Sequence, residues 1–544
     1  MKKLTAILLT LAMVVSLLGA CGLTDPNATA TPAQNNNTAA DPGSSNPTQN
    51  NNTNTTTVNL LNGVINGGAY GGGLGQKSGV NGATSNVEAH VYGKVHVNIG
   101  SWVKEPTATD TTYYGMATLT NCEVYGCNNL NGSPNDDVFV DVYKTNHTTT
   151  DEADYEENDA TYAIYQVCGG GNNADYEPEN GNTSSQKKLR TYVHRCENTV
   201  EKLFGGSNAA FAQGVHLTID GGRLDWAFGG GNGEVSPADI GTGNIYLWLG
   251  GGHINLYVNG SNDNGTIYGD IYSNTFNSGC SDAVVEDHFM GSNQTPIYGG
   301  VEETINCGDP MQYRNLYCGS NKAQIYGDIR LTIKGGVFEN VFGGSKGDLA
   351  SLTTPGTHTD YASNIKQFPT TIPSAAEDPG LHAYMTAHPD VAGTGGNVYL
   401  VINGGTIGTL YGACDINGNI EGKIDMTIMA TQTDCPLFIG NIFGGGNTTS
   451  YEPLNSSLIS PEIKILKGTI GGARPATTTF LQYESYAGNV YGGGYQGNVT
   501  ANPRIVIGDP TAPTSPVTIE GNVFGGGDHG NVTGSPQVII VPAN

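Results

Sequence analysis

Leu331-Thr332-Ile333-Lys334-Gly335-Gly336-Val337-Phe338-Glu339-Asn340-Val341-Phe342-Gly343-Gly344 decides the fold, because the chain repeats it twice more in the same register without gaps. The copies are Leu217-Thr218-Ile219-Asp220-Gly221-Gly222-Arg223-Leu224-Asp225-Trp226-Ala227-Phe228-Gly229-Gly230 and Leu400-Val401-Ile402-Asn403-Gly404-Gly405-Thr406-Ile407-Gly408-Thr409-Leu410-Tyr411-Gly412-Ala413. Leu331 and Ile333 alternate with Thr332 and Lys334, the period-two pattern of a strand with one buried face. Gly335-Gly336 ends that strand, since glycine accepts the positive φ of a corner. A second short strand follows, then a second glycine corner, where glycine also lets successive turns approach closely. A unit this small cannot bury its own apolar face. Stacked neighbours can, which is the logic of a solenoid.

The second half of the unit, an aliphatic, an aromatic and two glycines, is more widespread. It occurs at Ala69-Tyr70-Gly71-Gly72, Leu203-Phe204-Gly205-Gly206, Ile297-Tyr298-Gly299-Gly300, Ile442-Phe443-Gly444-Gly445, Val490-Tyr491-Gly492-Gly493 and Val523-Phe524-Gly525-Gly526. The shortest intervals are one solenoid turn: Phe204 to Phe228 is 24 residues and Tyr317 to Phe342 is 25. Longer intervals read as turns carrying inserted loops. Aromatics kept in one slot would stack as a ladder inside the coil or line one surface. The expected fold is all-β, a right-handed parallel β-helix over 58–544. The alternative is a β-propeller, whose kelch-type blades need ~50 residues; the short intervals and only three Trp weigh against it.

The pattern resembles the Gly-rich β-helix repeats of bacterial surface proteins and adhesins, including autotransporter passenger segments. The resemblance covers roughly 58–541, with interruptions. It is specific for architecture and weak for activity, and it implies a coil displayed outside the cell.

The start of the chain points the same way. Lys2 and Lys3 precede an apolar run over 4–18, which has the charge and length of a signal peptide and is short for a bilayer span. Leu18-Gly19-Ala20-Cys21 resembles the bacterial lipobox. That resemblance implies removal of 1–20, diacylation of the Cys21 sulfur and a membrane partner held through the lipid. Two or more acyl chains anchor stably where one is marginal. The expected location is the cell envelope, lipid-anchored and outside the cytoplasm; the alternative is an ordinary signal peptide followed by a chance cysteine. After Cys21, the stretch to residue 57 is nearly all Asn, Thr, Ala, Pro and Ser, without an aromatic. It cannot bury enough apolar surface to offset the entropy of ordering, and reads as a disordered tether.

Composition bounds the function. Gly is 80 of 544 residues, about twice the usual ~7%, and charged residues are 13%, about half the usual ~25%, as in an all-β extracellular protein. A net charge of −26 disfavours nucleic acid, which needs a basic face. Ten cysteines leave nine beyond Cys21, so they cannot all pair within the chain. Their spacing does not match a zinc site. Cys127, Cys318 and Cys414 stand in glycine or small-residue slots, and Cys168 in the aromatic slot, which reads as compact core rather than nucleophile.

Four stretches leave the repeat: 101–179, 351–395, 447–462 and 473–487, the second with a short helix near 381–387. Loops on a solenoid emerge from its side and commonly carry binding. Carboxylates are the natural search for chemistry, because β-helix enzymes that cleave polysaccharides set two or three acids on one face. Asp220, Asp225, Asp270, Asp328 and Glu339 lie near corners. Asp528-His529-Gly530 and Asp136-Asp137 are isolated approaches to pectinase-like elements, and no catalytic set assembles. No cofactor is expected. For calcium, Gly343-Gly344-Ser345-Lys346-Gly347-Asp348 has the wrong spacing and Ser261-Asn262-Asp263-Asn264-Gly265 too little acid, although the acidic run Asp151-Glu152-Ala153-Asp154-Tyr155-Glu156-Glu157 leaves room for a weak site.

The expected function is binding or adhesion to an extracellular ligand: a glycan, a host surface or a neighbouring cell. The competing readings are a carbohydrate-active β-helix enzyme (polysaccharide lyase or glycoside hydrolase) and a structural surface spacer. The spacer would self-associate end to end through the apolar final strand at 538–541. Three carboxylates gathered in one groove would favour the enzyme; a flat Tyr, Thr and Asn face would favour binding.

Overall fold

The computed structural model describes residues 55–541, apart from 105–110, 115–116, 146–161, 179–187, 281–282, 309–310, 348–363, 477–479 and 510–516. Cys21, the tether and the acidic run at 151–157 therefore lie outside the described residues, as does Asp348.

The repeat unit is one turn of a right-handed parallel β-helix. Its first half is a strand of one sheet, its second half a strand of another. Ile329–Ile333 pairs in parallel with Val398–Ile402, setting Leu331 on Leu400 and Ile333 on Ile402. Val337–Phe342 pairs with Thr406–Tyr411, setting Phe342 on Tyr411. The first sheet runs from Thr55–Leu60 to Gln537–Ile540, and the second from Gly68–Tyr70 to Val523–Phe524. The third side of the coil shrinks to single bridges, as in the column Ala212, Ile240, Ile267, Ile297, Ile325. Near the end, one strand, Ile459–Ile470, passes from the first sheet into the second.

Alternation decides what is inside. Ile329, Leu331 and Ile333 are fully buried, while Arg330 is exposed and Thr332 half-buried. Each such aliphatic burial contributes about 1.5–3 kcal/mol. The same residues recur turn after turn, so the core is one continuous column. At the first corner the second glycine carries the positive φ: +104° at Gly222, +85° at Gly336 and +85° at Gly405. At the second corner the requirement is different. A Cβ on Gly343 would stand 2.2 Å from the Gly412 carbonyl oxygen of the next turn.

The aromatic slot does form a ladder. It points away from the coil interior and makes a second buried cluster, with Trp226 and Leu256 packed on it. Ring centroids are 4.8 Å apart for Phe289 and Tyr317, 5.0 Å for Tyr317 and Phe342, and 4.8 Å for Phe342 and Tyr411. Cys168 and Val258 occupy the same slot in the remaining turns. Beyond the second corner runs a ladder of asparagines. Asn172 donates to Asn129, Asn208 to Asn172, Asn232 to Asn208, Asn262 to Asn232, Asn293 to Asn262 and Asn321 to Asn293, all at 2.8–3.0 Å. Each amide uses its donor on one neighbour and its oxygen on the other, so a column of polar side chains is satisfied at part-buried positions.

Three features differ from the sequence reading. Ile297-Tyr298-Gly299-Gly300 is not an aromatic-ladder copy. Ile297 is a third-side bridge, and Tyr298 packs beneath an inserted segment with Tyr326, Phe368, Leu381 and Met385. The stretch 101–179 is also not one insertion. Leu119–Tyr125, Val138–Val142 and Ile164–Cys168 are coil strands within it, beside a hairpin of Ser101–Lys104 and Thr111–Tyr114. There Cys168 in the aromatic slot, and Cys127 after a single glycine, weaken the motif. The coil likewise continues through 447–462 by a bridge at Tyr451. The helix Pro379–Ala387 lies where a short helix was expected, with Asp378 accepting from the Leu381 amide as N-cap.

Four cysteines pair as Cys196–Cys280 and Cys307–Cys435. Cys122, Cys127, Cys168, Cys318 and Cys414 are free and buried. Burial pushes the Cys122 and Cys414 thiols up to about 12 and also raises Cys127, Cys168 and Cys318. They stay protonated at neutral pH, as compact core residues.

Candidate functional site

The outer face of the first sheet carries the molecule's concentration of chemistry. Strand register stacks its outward residues in two columns. One reads His96, Phe139, Arg190, His216, Tyr246, Tyr272, Glu302, Arg330, Tyr399. The other reads Asn98, Asp141, Tyr192, Thr218, Trp248, Asn274, Thr304, Thr332, Val401. Parallel strands lie ~4.8 Å apart, so neighbours in a column touch. His96 stacks on Phe139 with centroids 4.5 Å apart, His216 on Tyr246 at 4.8 Å, and Tyr246 on Tyr272 at 5.4 Å. The Arg190 guanidinium lies 5.2 Å over Phe139.

A cleft of about 400 Å³ opens in this face, lined by Phe139, Asp141, Arg190, Tyr192, His216, Thr218 and Trp248. Thr218 makes it: its small side chain sits in register between Tyr192 and Trp248 and leaves the gap. His216 is held down to about 4, by burial first and then by Lys188 and Arg190, so its imidazole is neutral at physiological pH. Asp141 is bonded to His194 at 2.8 Å, and the Tyr192 hydroxyl donates to Asp220 at 2.8 Å. Aromatic faces beside a few fixed polar groups are the ordinary build of a small-ligand site.

A second cleft, of about 380 Å³, lies further along the same face. Its floor is Asp270, Tyr272, Glu302, Asp328 and Arg330; its wall is Phe368, Tyr384, Val391 and Thr394 of the inserted segment. Burial, then the Asp270 charge, pushes both Tyr272 and Tyr384 up to about 12. Three carboxylates thus meet in one groove, but two are engaged in holding the coil. Asp270 accepts the Gly300 amide at 2.8 Å and the Tyr272 hydroxyl at 3.0 Å. Asp328 accepts both the amide and side-chain nitrogen of Asn397 at 3.2 and 2.9 Å, and Arg330 at 2.9 Å. These are rung-to-rung caps. Glu302 alone is exposed, with no hydrogen-bond or ion-pair partner among the described residues.

The remaining acids are scattered. Asp225 is on the second sheet, accepting from Asn255 at 2.8 Å. Glu339 is buried under the 480s loop, accepting the Gln482 amide at 2.6 Å. Asp137 receives the Lys188 amide at 2.8 Å and the Lys94 ammonium at 3.1 Å. Asp528 pairs with its neighbour His529, at 3.3 Å, and takes a hydrogen bond from the Tyr491 hydroxyl. Asn262, of the calcium candidate at 261–265, belongs to the asparagine ladder. Among the described residues no group of three or more His, Cys, Asp or Glu side chains is placed to hold a metal ion. The aromatic columns escaped the sequence reading, although Tyr246-Leu247-Trp248 alternates plainly enough to have been found.

No protein-family model, curated protein or solved structure matches this chain.

Proposed function

We propose that the chain is a lipid-tethered extracellular β-solenoid that binds a glycan lying along the outer face of its first sheet. The observation that carries this is the aromatic column from His216 through Tyr246 to Tyr272, flanked by Trp248 and opening at one end into the Phe139–Trp248 cleft. Rings of this kind cover the apolar faces of sugars, while Arg190, Asp141 and Thr218 line the same cleft and offer polar groups to their hydroxyls. Tethering through Cys21 rests on the lipobox resemblance, and it would put this face in reach of an extracellular polymer.

A second reading, cleavage of the glycan, is favoured by the acids beneath the inserted segment. Two-carboxylate hydrolysis needs an acid and a base or nucleophile, both free to act. Asp270 and Asp328 are committed to rung capping, which leaves Glu302 alone. The test is an array of glycans and matrix proteins, with reducing-end release assayed on the same glycans. Saturable glycan binding without product supports the binder. Released sugar replaces it with the enzyme, and capture of matrix proteins alone excludes both.

A further inference from the structure

Resting on the reading that this face holds a glycan, we propose that the cleft beneath Pro379–Ala387 is the subsite for a protonated amine on it. The ligand class is then a polymer of amino sugars with free amino groups.

One cross-strand charge pairing does not form. Glu302 and Arg330 face each other on adjacent strands, where opposite charges ordinarily neutralise one another. Arg330 turns away instead: it bonds Asp328 at 2.9 Å and lies 4.3 Å over the Tyr399 ring. Among the described residues Glu302 is left without a cation. Asp270 adds a second negative charge, because its two partners, the Gly300 amide and the Tyr272 hydroxyl, are neutral donors. Against these carboxylates the inserted segment sets the rings of Phe368 and Tyr384. Aromatic faces with unneutralised carboxylates suit an ammonium, which offers three donors and a compact charge. A neutral hydroxyl would leave that charge unanswered. The stacking of Tyr246 on Tyr272 leads from the aromatic column into this cleft, so one extended ligand reaches both.

The test is calorimetric titration of the purified full chain with a glucosamine hexamer and its fully N-acetylated counterpart, near pH 6, where amines are protonated. The free-amine hexamer should bind about tenfold more tightly. Glu302→Gln should abolish that preference while keeping the affinity for the acetylated hexamer. Glu520→Gln, an exposed acid near the last turn, should keep the preference and so controls for general attraction of a polycation to an acidic protein. Equal binding of the two hexamers by the native chain, or a preference that survives Glu302→Gln, overturns the amine subsite and leaves the glycan reading standing. Absence of binding to either hexamer overturns the subsite, and failure across all glycans overturns the reading it rests on.

Discussion

Glu462 and Asn262 show how single polar residues hold the coil. Glu462 is 3% exposed, on the first sheet, between Lys423, Lys464 and Arg504. Burial alone would raise its carboxyl, but these three cations hold it down to about 2. A depressed folded-state value means stabilisation that is complete above the unfolded value, ~4.3, and lost as pH falls toward 2. Glu462→Gln should therefore destabilise the chain at pH 7 and much less at pH 2, as read by denaturant unfolding at each pH. Asn262→Ala should cost roughly 1–3 kcal/mol, because it leaves the Asn293 donor and the Asn232 acceptor unpaired. Thermal unfolding measures it, and a loss below a few tenths would contradict a structural ladder. Neither role is legible one residue at a time. Asn208, Asn232 and Asn262 do recur four residues after the aromatic slot, but a polar residue in a turn reads equally as solvated.

At the scale of elements, legibility divides by which side a residue faces. Inward positions repeat, since every turn fills the same space, so Leu217, Leu331 and Leu400 reveal the coil from sequence alone. Outward positions are free to vary. Their juxtaposition depends on register across loops of unequal length, as when Arg330 meets Tyr399 over an inserted segment. Asp270 and Asp328 were recognisable as corner acids, yet their role as caps for the next turn needed the register. The outer face yields its own prediction. Trp248→Ala and Tyr246→Ala should each weaken glycan binding about tenfold, as central aromatic anchors do, with unchanged circular dichroism because both side chains point outward. Loss of binding only when second-sheet residues such as Trp226 are replaced would move the site to the other face.

The molecule is a stack in which strand pairing joins each turn to its neighbours, so stability is set largely locally and then transmitted. The two disulfides work across that stack, closing loops of 84 and 128 residues. In the chain-entropy account a bridge of this span contributes about 4–5 kcal/mol. Cys196→Ser with Cys280→Ser should lower the unfolding midpoint and open the central turns first, seen as early hydrogen exchange in the amides of Val215–Ile219. Uniform loss of protection along the coil would contradict local transmission. The coil's length also bears on the proposed glycan binding. A polymer lying along the axis meets a new strand every ~4.8 Å, so its affinity should grow with its length. Affinity against oligosaccharide length is therefore the most direct measurement. Affinity should rise with each added sugar until the aromatic columns are covered, then level off, with Trp248→Ala lowering the whole curve. A monosaccharide bound as tightly as a hexasaccharide, or a curve untouched by Trp248→Ala, would contradict it.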